Sequence, residues 1–237
     1  MKRVVLKLSG ESFHDKAVGE PFFAPSFKKA AEEIKRAKEV GVEMIIITGG
    51  GNIARGATLE TVGMKRVEAD QVGMLATIQN SLLLQSALES MDISTRVLSA
   101  VRVESVCEPF LRRRAIRHLE KGRVIICAGG TGNPFATTDS AAMLRALELD
   151  ADALLFAKNG VEGVYSADPK YDKEAVLIKE LTYREVIDRD LKFMDQAALL
   201  TGIESGNPIP IYVFESNKIG NLERVVKGEN IGTVVKP

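Results

Sequence analysis

Six short runs rich in Val and Ile alternate with longer segments of helical periodicity, and this alternation restricts the fold more than any other feature of the chain. The runs are nearly continuous in apolar character, as expected of strands that are buried on both faces. They are Arg3–Leu8, Val42–Thr48, Thr95–Ala100, Arg123–Ala128, Ala153–Ala157 and Ile209–Phe214. Strands that alternate with helices form parallel sheets. The sequence therefore predicts an α/β fold with a mostly parallel central sheet covered by helices.

A long helix follows the second run and is apolar on almost every side. The pattern predicts it over about Asp70–Met91, whereas the helix before it repeats apolar residues from Phe27 to Val40 and ends at Gly41. The apolar residues of the long helix are Leu75, Ile78, Leu82, Leu83 and Leu84. Such a helix needs cover on several sides. Deep burial within one domain and a subunit interface both satisfy that need.

A third helix, predicted over Pro109–Lys121, carries four arginines. They are Arg112, Arg113, Arg114 and Arg117. A phosphate-binding patch is one interpretation, and a solvated helix face is the other. Runs of charge favour the solvated face.

Composition excludes several classes of protein. The chain has 237 residues, with Lys+Arg and Asp+Glu each 32, so no general attraction to nucleic acid or an anionic membrane is expected. Cys107, Cys127, His14 and His118 form no zinc-site spacing, and two lone thiols are typical of a reducing cytosol. No apolar run approaches the ~18–20 residues that span a bilayer. We expect a cytoplasmic protein, and the length allows one large domain or a two-lobed one.

Three of the predicted strands end in loops of small residues. These loops are Lys7-Leu8-Ser9-Gly10, Thr48-Gly49-Gly50-Gly51-Asn52 and Gly129-Gly130-Thr131-Gly132-Asn133-Pro134. The carboxyl ends of parallel strands lie at one edge of the sheet, where α/β folds bind ligands. Glycine also lets backbone N–H groups approach a phosphate closely. Three such loops at one edge predict a long, phosphate-rich ligand or two ligands.

Two established phosphate motifs are close to the second loop. Residues 51–58 nearly match the GxxxxGK[ST] pattern, but Ala57 replaces its lysine, so an ordinary P-loop is excluded. Residues 49–54 match the dinucleotide pattern GxGxx[GA], with Glu68 and Asp70 about twenty residues on. That pattern requires the acidic residue to close a second strand, whereas Asp70 is predicted to open a helix. A hydride-transfer enzyme stays the competing interpretation.

The charges near these loops indicate phosphoryl transfer. Lys7 ends an otherwise apolar strand, and Arg55 follows the triple glycine, where its guanidinium can bind two phosphate oxygens. A snorkelling lysine and an ordinary surface arginine are the alternatives. Phosphoryl transfer depends mainly on positioning and charge neutralisation. A phosphate monoester acceptor, with a second pKa of about 6, needs no general base.

The motifs KLSGE, ITGGGNIARG, GGTGNPFATTDSAA and AKNGVEGVYSADP together resemble the bacterial-type UMP kinases of the amino acid kinase superfamily. The likeness extends from Lys7 to Val234. It implies a three-layer α/β/α sandwich and magnesium-dependent transfer from ATP to UMP in cytoplasmic pyrimidine nucleotide synthesis. It also implies a homohexamer under allosteric control. The resemblance further implies a single amino acid kinase-type domain over residues 1–237. Its acceptor-binding part would cover roughly residues 1–150 and its ATP-binding part roughly 151–237.

The resemblance also implies roles for individual residues. It makes Lys7, Arg55, Asp139 and Asp195 catalytic, and it leaves the direct metal ligands unassigned. ATP would be bound by Lys7, Leu8, Ser9, Gly10, Gly51, Arg55, Asn159, Tyr165 and Asp168. UMP would be bound by Gly50, Asp70, Thr131, Gly132, Asn133, Pro134, Phe135, Ala136, Thr137 and Thr138.

Structural interpretations compete with several of these roles. Asp70 and Thr137 are each also expected as helix N-caps, and Asp168-Pro169 is also expected as a turn. Two other functions stay open. One is a carboxylate or carbamate kinase of the same fold, and the other is a non-catalytic nucleotide-binding or storage subunit.

Overall fold

All six predicted strands are present, each within two residues of its predicted ends. The computed structural model describes residues 1–14, 21–54, 59, 61 and 63–237. The six strands are β1 (Arg3–Leu8), β2 (Glu43–Thr48), β3 (Thr95–Ser99), β5 (Val124–Ala128), β6 (Ala153–Lys158) and β10 (Ile211–Glu215). Five shorter strands were not predicted, because two to four residues are too few to show a periodicity. These are β4 (Glu108–Pro109), β7 (Val164–Tyr165), β8 (Leu177–Ile178), β9 (Glu180–Thr182) and β11 (Thr233–Lys236).

Nine of these strands form one sheet in the order β4-β3-β5-β2-β1-β6-β10-β11-β9, and β7 and β8 form a separate hairpin. The six predicted strands are mutually parallel, whereas β11 runs antiparallel to β10. β1 lies between β2 and β6. The loops after β1, β2, β5 and β6 therefore emerge at the same edge of the sheet.

Helices cover both faces of the sheet and complete three layers. Along β1, Val5 faces one apolar core, while Val4 and Leu6 face the other. Helices α1 (Ala24–Glu39), α2 (Arg66–Glu89) and α7 (Asn221–Val226) pack on the side of Val4. Helices α3 (Arg112–Glu120), α4 (Thr138–Glu148), α5 (Tyr183–Asp188) and α6 (Gln196–Glu204) pack on the side of Val5. The α/β sandwich with a mostly parallel sheet is thus confirmed.

The long helix begins four residues before its predicted start, at Arg66 rather than Asp70. Lys65 is the N-cap residue, and its backbone N–H donates to the Glu68 carboxylate at 3.1 Å. The expectation that Asp70 opens or caps this helix was wrong, because Asp favours caps in general, whereas here a lysine occupies the cap. Since Glu68 and Asp70 both lie within a helix, neither closes a strand as the dinucleotide pattern requires.

The arginines of α3 mostly pair with neighbouring acids. Arg112 contacts Asp150, Arg114 contacts Glu108 and Arg117 contacts Glu120. Those pairings agree with a solvated helix face and not with a phosphate patch. Across the described ranges, no helix combines the length and apolar character needed to cross a membrane.

Candidate active site

Lys7 and Asp139 form an ion pair at the carboxyl edge of the sheet. The Lys7 Nζ lies 2.9 Å from Asp139 Oδ1, and the two side chains are only 13% and 17% exposed. Lys7 is paired in register with Phe156 of β6, and its Nζ lies 4.8 Å from the centroid of that ring. The lysine therefore points across the face of the sheet toward α4. It does not extend freely into solvent, as a snorkelling lysine would.

Thr137 fixes the position of Asp139. Thr137 is the N-cap of α4, and its hydroxyl accepts hydrogen bonds from the backbone N–H groups of Asp139 and Ser140 at 3.2 and 3.3 Å. A cap of this kind satisfies N–H groups that lack a partner within the helix. It also places the Asp139 carboxylate in the first turn of α4, facing Lys7.

Asp195 lies beside Asp139 but does not face the ion pair with a free carboxylate. It is the N-cap of α6 and accepts from the Ala197 N–H at 3.0 Å. Its other carboxylate oxygen contacts the hydroxyls of Thr137 and Ser140 at 2.9 and 3.3 Å. The Asp195 backbone N–H in turn donates to Asp139 Oδ2 at 3.1 Å. In this arrangement Asp195 holds the starts of α4 and α6 together and orients Asp139.

Lys158, at the end of β6, is a member of this cluster that our sequence reasoning missed. Its Nζ donates to the Phe193 carbonyl and lies 5.1 Å from the centroid of the Phe156 ring. Burial, together with the positive charge of Lys7, lowers the pKa of Lys158 to about 8, while Asp139 acts in the opposite direction. The sequence carried a signal for this residue. Lys158 is a charged residue at the last position of the buried apolar strand β6, and Lys7 is a charged residue at the second-to-last position of β1.

One cavity, of about 210 Å³, brings together most of the predicted acceptor residues. The backbone of the second glycine loop, helix α2 and the segment before α4 form its walls. Its lining includes Gly50, Gly51, Asp70, Thr131, Asn133, Ala136, Thr137 and Thr138. Gly51 was predicted on the ATP side, yet it lines this cavity.

The other predicted acceptor residues lie beside this cavity. Gly132 and Pro134 line a neighbouring hollow with Leu75 of α2. Phe135 is 69% exposed and has a left-handed backbone with φ of 64°. Its ring lies 5.8 Å from the Arg66 guanidinium. An aromatic residue held in this conformation is strained, which indicates that the surrounding contacts hold the loop in place.

Asp70 anchors that loop. Its carboxylate accepts from the Phe135 N–H at 2.7 Å and from Arg66 Nε at 2.9 and 3.0 Å. The side chain is nevertheless in the lining of the cavity. Asp70 thus joins α2 to the segment before α4 and still faces the space where a ligand would bind.

A second cavity, of about 420 Å³, lies beside Lys158. Lys158, Tyr165 and Asp168 line it, but Asn159 does not. The Asp168 carboxylate accepts from the Lys170 N–H at 2.9 Å, so the expected turn is present. Asn159 instead accepts a hydrogen bond from Asn217.

The first two glycine loops are in direct contact. A Cβ atom on Gly10 would lie 2.5 Å from the Gly51 nitrogen, so only glycine allows this approach. Ser9 caps the short 3-10 helix Gly10–Phe13 by accepting from the Glu11 N–H. The Leu8 side chain is buried in the core on the opposite face. If Leu8 binds a nucleotide, it does so through its backbone.

Arg55 lies outside the described residues. Among the residues that are described, no group of three or more His, Cys, Asp or Glu side chains is placed to hold a metal ion. Asp139 contacts Lys7 and Asp195 contacts Asp139, and both carboxylates already accept hydrogen bonds from the protein.

Known proteins are similar to this chain in both sequence and fold. Residues 2–215 match the Amino acid kinase family. The chain is 48% identical over 236 residues to the uridylate kinase of Pediococcus pentosaceus, covering 99% of this chain and 96% of that protein.

Solved structures give the same result. The UMP kinase from Bacillus anthracis superposes with a TM-score of 0.95 at 40% identity, covering 99% of this chain and 96% of that one. The UMP kinase from Ureaplasma parvum superposes with a TM-score of 0.93 at 34% identity, covering 100% and 99%. The chain therefore belongs to the amino acid kinase family and, within it, to the uridylate kinases.

Proposed function

We propose that this protein transfers the γ-phosphoryl group of ATP to UMP, giving ADP and UDP. The observation that carries the proposal is that residues next to the Lys7–Asp139 pair line two separate cavities. Thr138 lines the first cavity and immediately precedes Asp139, whereas Lys158 lines the second. UMP would occupy the first cavity and ATP the second. The phosphates of the two nucleotides would then meet at the lysines.

The two lysines supply the charge that phosphoryl transfer requires. The transferred group carries negative charge on its oxygens, and preorganised cations stabilise it without reorganising during the reaction. Asp139 orients Lys7 through the 2.9 Å contact. The UMP phosphate is mostly dianionic at pH 7 and attacks directly, so no residue has to remove a proton from it.

Magnesium would enter with ATP. Carboxylate oxygens are ligands that Mg²⁺ accepts, and the ion usually keeps several waters while it binds phosphates. Asp139 and Asp195 would hold it in this proposal, and the hydrogen bonds that both carboxylates already accept favour contact through those waters. When bound, the ion would supply further neutralisation of phosphate charge.

We propose that the two nucleotides are bound mainly by different parts of the chain. The residues proposed for UMP lie within roughly residues 1–150, and Lys158, Tyr165 and Asp168 lie within roughly 151–237. We treat the two parts as one domain because a single sheet runs through both.

The family resemblance adds proposals about the protein in the cell. We place the enzyme in cytoplasmic pyrimidine nucleotide synthesis, which agrees with both cysteines being free thiols. We propose a homohexamer, because Leu75 and Leu83 on the outer face of α2 are 46% and 39% exposed. We also propose allosteric control by nucleotides.

The decisive experiment is an assay of ADP release with ATP and Mg²⁺ against a panel of acceptors. The panel contains UMP, CMP, dUMP, glutamate, aspartate and carbamate. We expect UMP to be preferred over CMP by tenfold or more in kcat/KM, because a site with buried polar groups rejects a mismatched base edge by ~2 kcal/mol. Turnover of glutamate, aspartate or carbamate in preference to UMP would establish the carboxylate or carbamate kinase instead. No turnover of any acceptor would favour a storage subunit.

A further inference from the structure

Helix α2 has a polar face that is buried. Thr77, Asn80 and Ser81 are at most 3% exposed, yet they point toward the interior, where helices normally place apolar residues. Buried polar groups are costly unless they are hydrogen-bonded. The partners of these three side chains therefore explain why they are there.

Asn80 binds the second glycine loop. Its Nδ2 donates to the Gly49 carbonyl and to Asn52 Oδ1, each at 2.7 Å. Asn52 returns a hydrogen bond to Asn80 Oδ1 at 3.1 Å and donates to the Pro21 carbonyl at 2.7 Å. Both ends of the Gly49–Asn52 segment are thus attached to one residue of α2.

Thr77 binds the third glycine loop. Its hydroxyl accepts from the Gly129 N–H at 2.8 Å and donates to the Met74 carbonyl of its own helix at 2.7 Å. The single proton of the hydroxyl is committed to Met74, so Thr77 orients the Gly129 N–H specifically. Gly129 has a φ of 74°, and this hydrogen bond holds the chain where it enters the loop.

These two loops, which follow the neighbouring strands β2 and β5, both line the acceptor cavity. Gly50 and Gly51 line it from the second glycine loop, and Gly130 and Thr131 line it from the third. Residues three apart on a helix lie on the same face, one turn from each other. We infer that Thr77 and Asn80 are positioning residues, which use one turn of α2 as a rigid spacer to set the distance between the two loops. The expectation that these residues affect the binding of UMP rests on the proposed function.

Ser81 provides a matched control on the same buried face. Its hydroxyl donates to the Thr77 carbonyl at 2.7 Å and contacts Thr48 Oγ1, at the end of β2, at 2.8 Å. Within the described part of the chain it makes no hydrogen bond to Gly49–Asn52 or to the third glycine loop. Removing it should lower stability without changing the cavity.

The test compares Thr77→Val, Thr77→Ser and Ser81→Ala in the full-length protein. Valine keeps the shape of threonine but leaves the buried Gly129 N–H without its acceptor, so the loop should shift to recover a partner. We expect the UMP KM to rise about tenfold in Thr77→Val, which corresponds to ~1.4 kcal/mol. The ATP KM should stay within about twofold. Thr77→Ser should restore the wild-type UMP KM, and Ser81→Ala should lower only the melting temperature.

Amide hydrogen exchange measures the protection of the Gly129 N–H, in the third glycine loop, independently of enzyme activity. The Gly129 amide should lose protection in Thr77→Val but keep it in Ser81→Ala and Thr77→Ser. Asn80→Asp, which preserves side-chain size but turns an acceptor toward the Gly49 carbonyl, applies the same test from the other loop and substitutes for Thr77→Val if that variant does not fold.

Different results would contradict the proposed function and the positioning role of Thr77 and Asn80. Wild-type protein that does not phosphorylate UMP would defeat the proposed function, while the exchange result would still test the spacer. Unchanged Gly129 exchange in Thr77→Val, or an unchanged UMP KM in both Thr77→Val and Asn80→Asp, would show that these side chains only stabilise the fold and would overturn the inference.

Discussion

At the residue scale, the site depends on one carboxylate that is held by a lysine and by a backbone N–H group. Asp139 receives Lys7 on one oxygen and the Asp195 N–H on the other. Because both oxygens are engaged, the Asp139 carboxylate cannot rotate freely. The geometry that presents the Lys7 ammonium to a phosphate is therefore preorganised, and the contribution of each charge can be tested separately.

We predict that Lys7→Ala mainly lowers kcat. The lysine should matter most while negative charge moves between the nucleotides, so the loss should be ~2–4 kcal/mol of barrier, as for removal of one preorganised donor. Steady-state kinetics check this, with Lys227→Ala as the control, because Lys227 is half-exposed and pairs with Glu223 on the surface. Retained kcat with a raised ATP KM would assign Lys7 to ground-state binding instead.

Lys158 should make the enzyme sensitive to alkaline pH. Its pKa is lowered from 10.5 to about 8 by burial and by the charge of Lys7. The free enzyme therefore loses this positive charge above about pH 8, and kcat/KM for ATP should fall there. Lys158→Met should have a lower kcat/KM for ATP at pH 7 and should show no further decline above about pH 8. An identical alkaline decline in the variant would contradict the assignment.

The same group has the opposite effect on stability. Between about pH 8 and 10.5 the unfolded chain keeps the Lys158 proton that the folded chain has lost. Stability therefore rises with pH across that interval. Denaturant unfolding of wild type and Lys158→Met measures it, and we expect wild type to gain stability relative to the variant from pH 8 to 10.

Asp70 should bind the ribose of UMP as well as anchor its loop. We predict that Asp70→Asn raises the UMP KM at least about tenfold, because a hydrogen bond to a charged acceptor contributes ~1.5–3 kcal/mol. Comparing UMP with dUMP separates the two roles. If the carboxylate binds the 2′-hydroxyl, the preference for UMP over dUMP shrinks in the variant. Equal losses with both nucleotides would leave Asp70 only as the anchor of Phe135.

At the element scale, α2 has two contrasting faces. The inner face holds Thr77 and Asn80 against the glycine loops, while Leu84 and Leu88 are fully buried in the core. The outer face exposes Val67, Leu75 and Leu83. Leu82 is partly buried against the core, whereas Leu83 is exposed, so Leu83 tests assembly without disturbing the fold.

Leu83→Lys should therefore reduce the mass of the particle in solution. A charge placed in an apolar interface loses its water and opposes association. Light scattering measures the mass, and circular dichroism confirms that the variant is folded. The matched control is Val106→Lys, another exposed apolar residue that lies outside α2. A monomeric wild type would end the proposal of a homo-oligomer.

At the scale of the whole molecule, the parallel sheet brings the site together. Six parallel strands place the loops after β1, β2, β5 and β6 at one edge. Helix α4 then delivers Asp139 from the face on which Lys7, Phe156 and Lys158 lie. The first cavity is formed by segments far apart in the chain, whereas the second is lined by residues 158–169 and 189–193. Neither cavity is lined by one continuous stretch of sequence.

The sequence by itself determined the layers, the three glycine loops and the candidacy of Lys7. Each of these is carried by local information: strand periodicity, turn residues, and a charge at the end of an apolar run. The short strands escaped notice because two to four residues show no period. The start of α2 was misplaced because a lysine occupies its cap.

The tertiary structure decided which of those residues work together. It paired Lys7 with Asp139, added Lys158, and made Asp195 a helix cap that orients its neighbour. It also turned Thr77 and Asn80 of an apparently apolar helix toward the glycine loops. The reason is physical: hydrogen bonds and ion pairs between distant segments depend on the direction in which each side chain leaves its element, and only the packed sheet and helices set those directions.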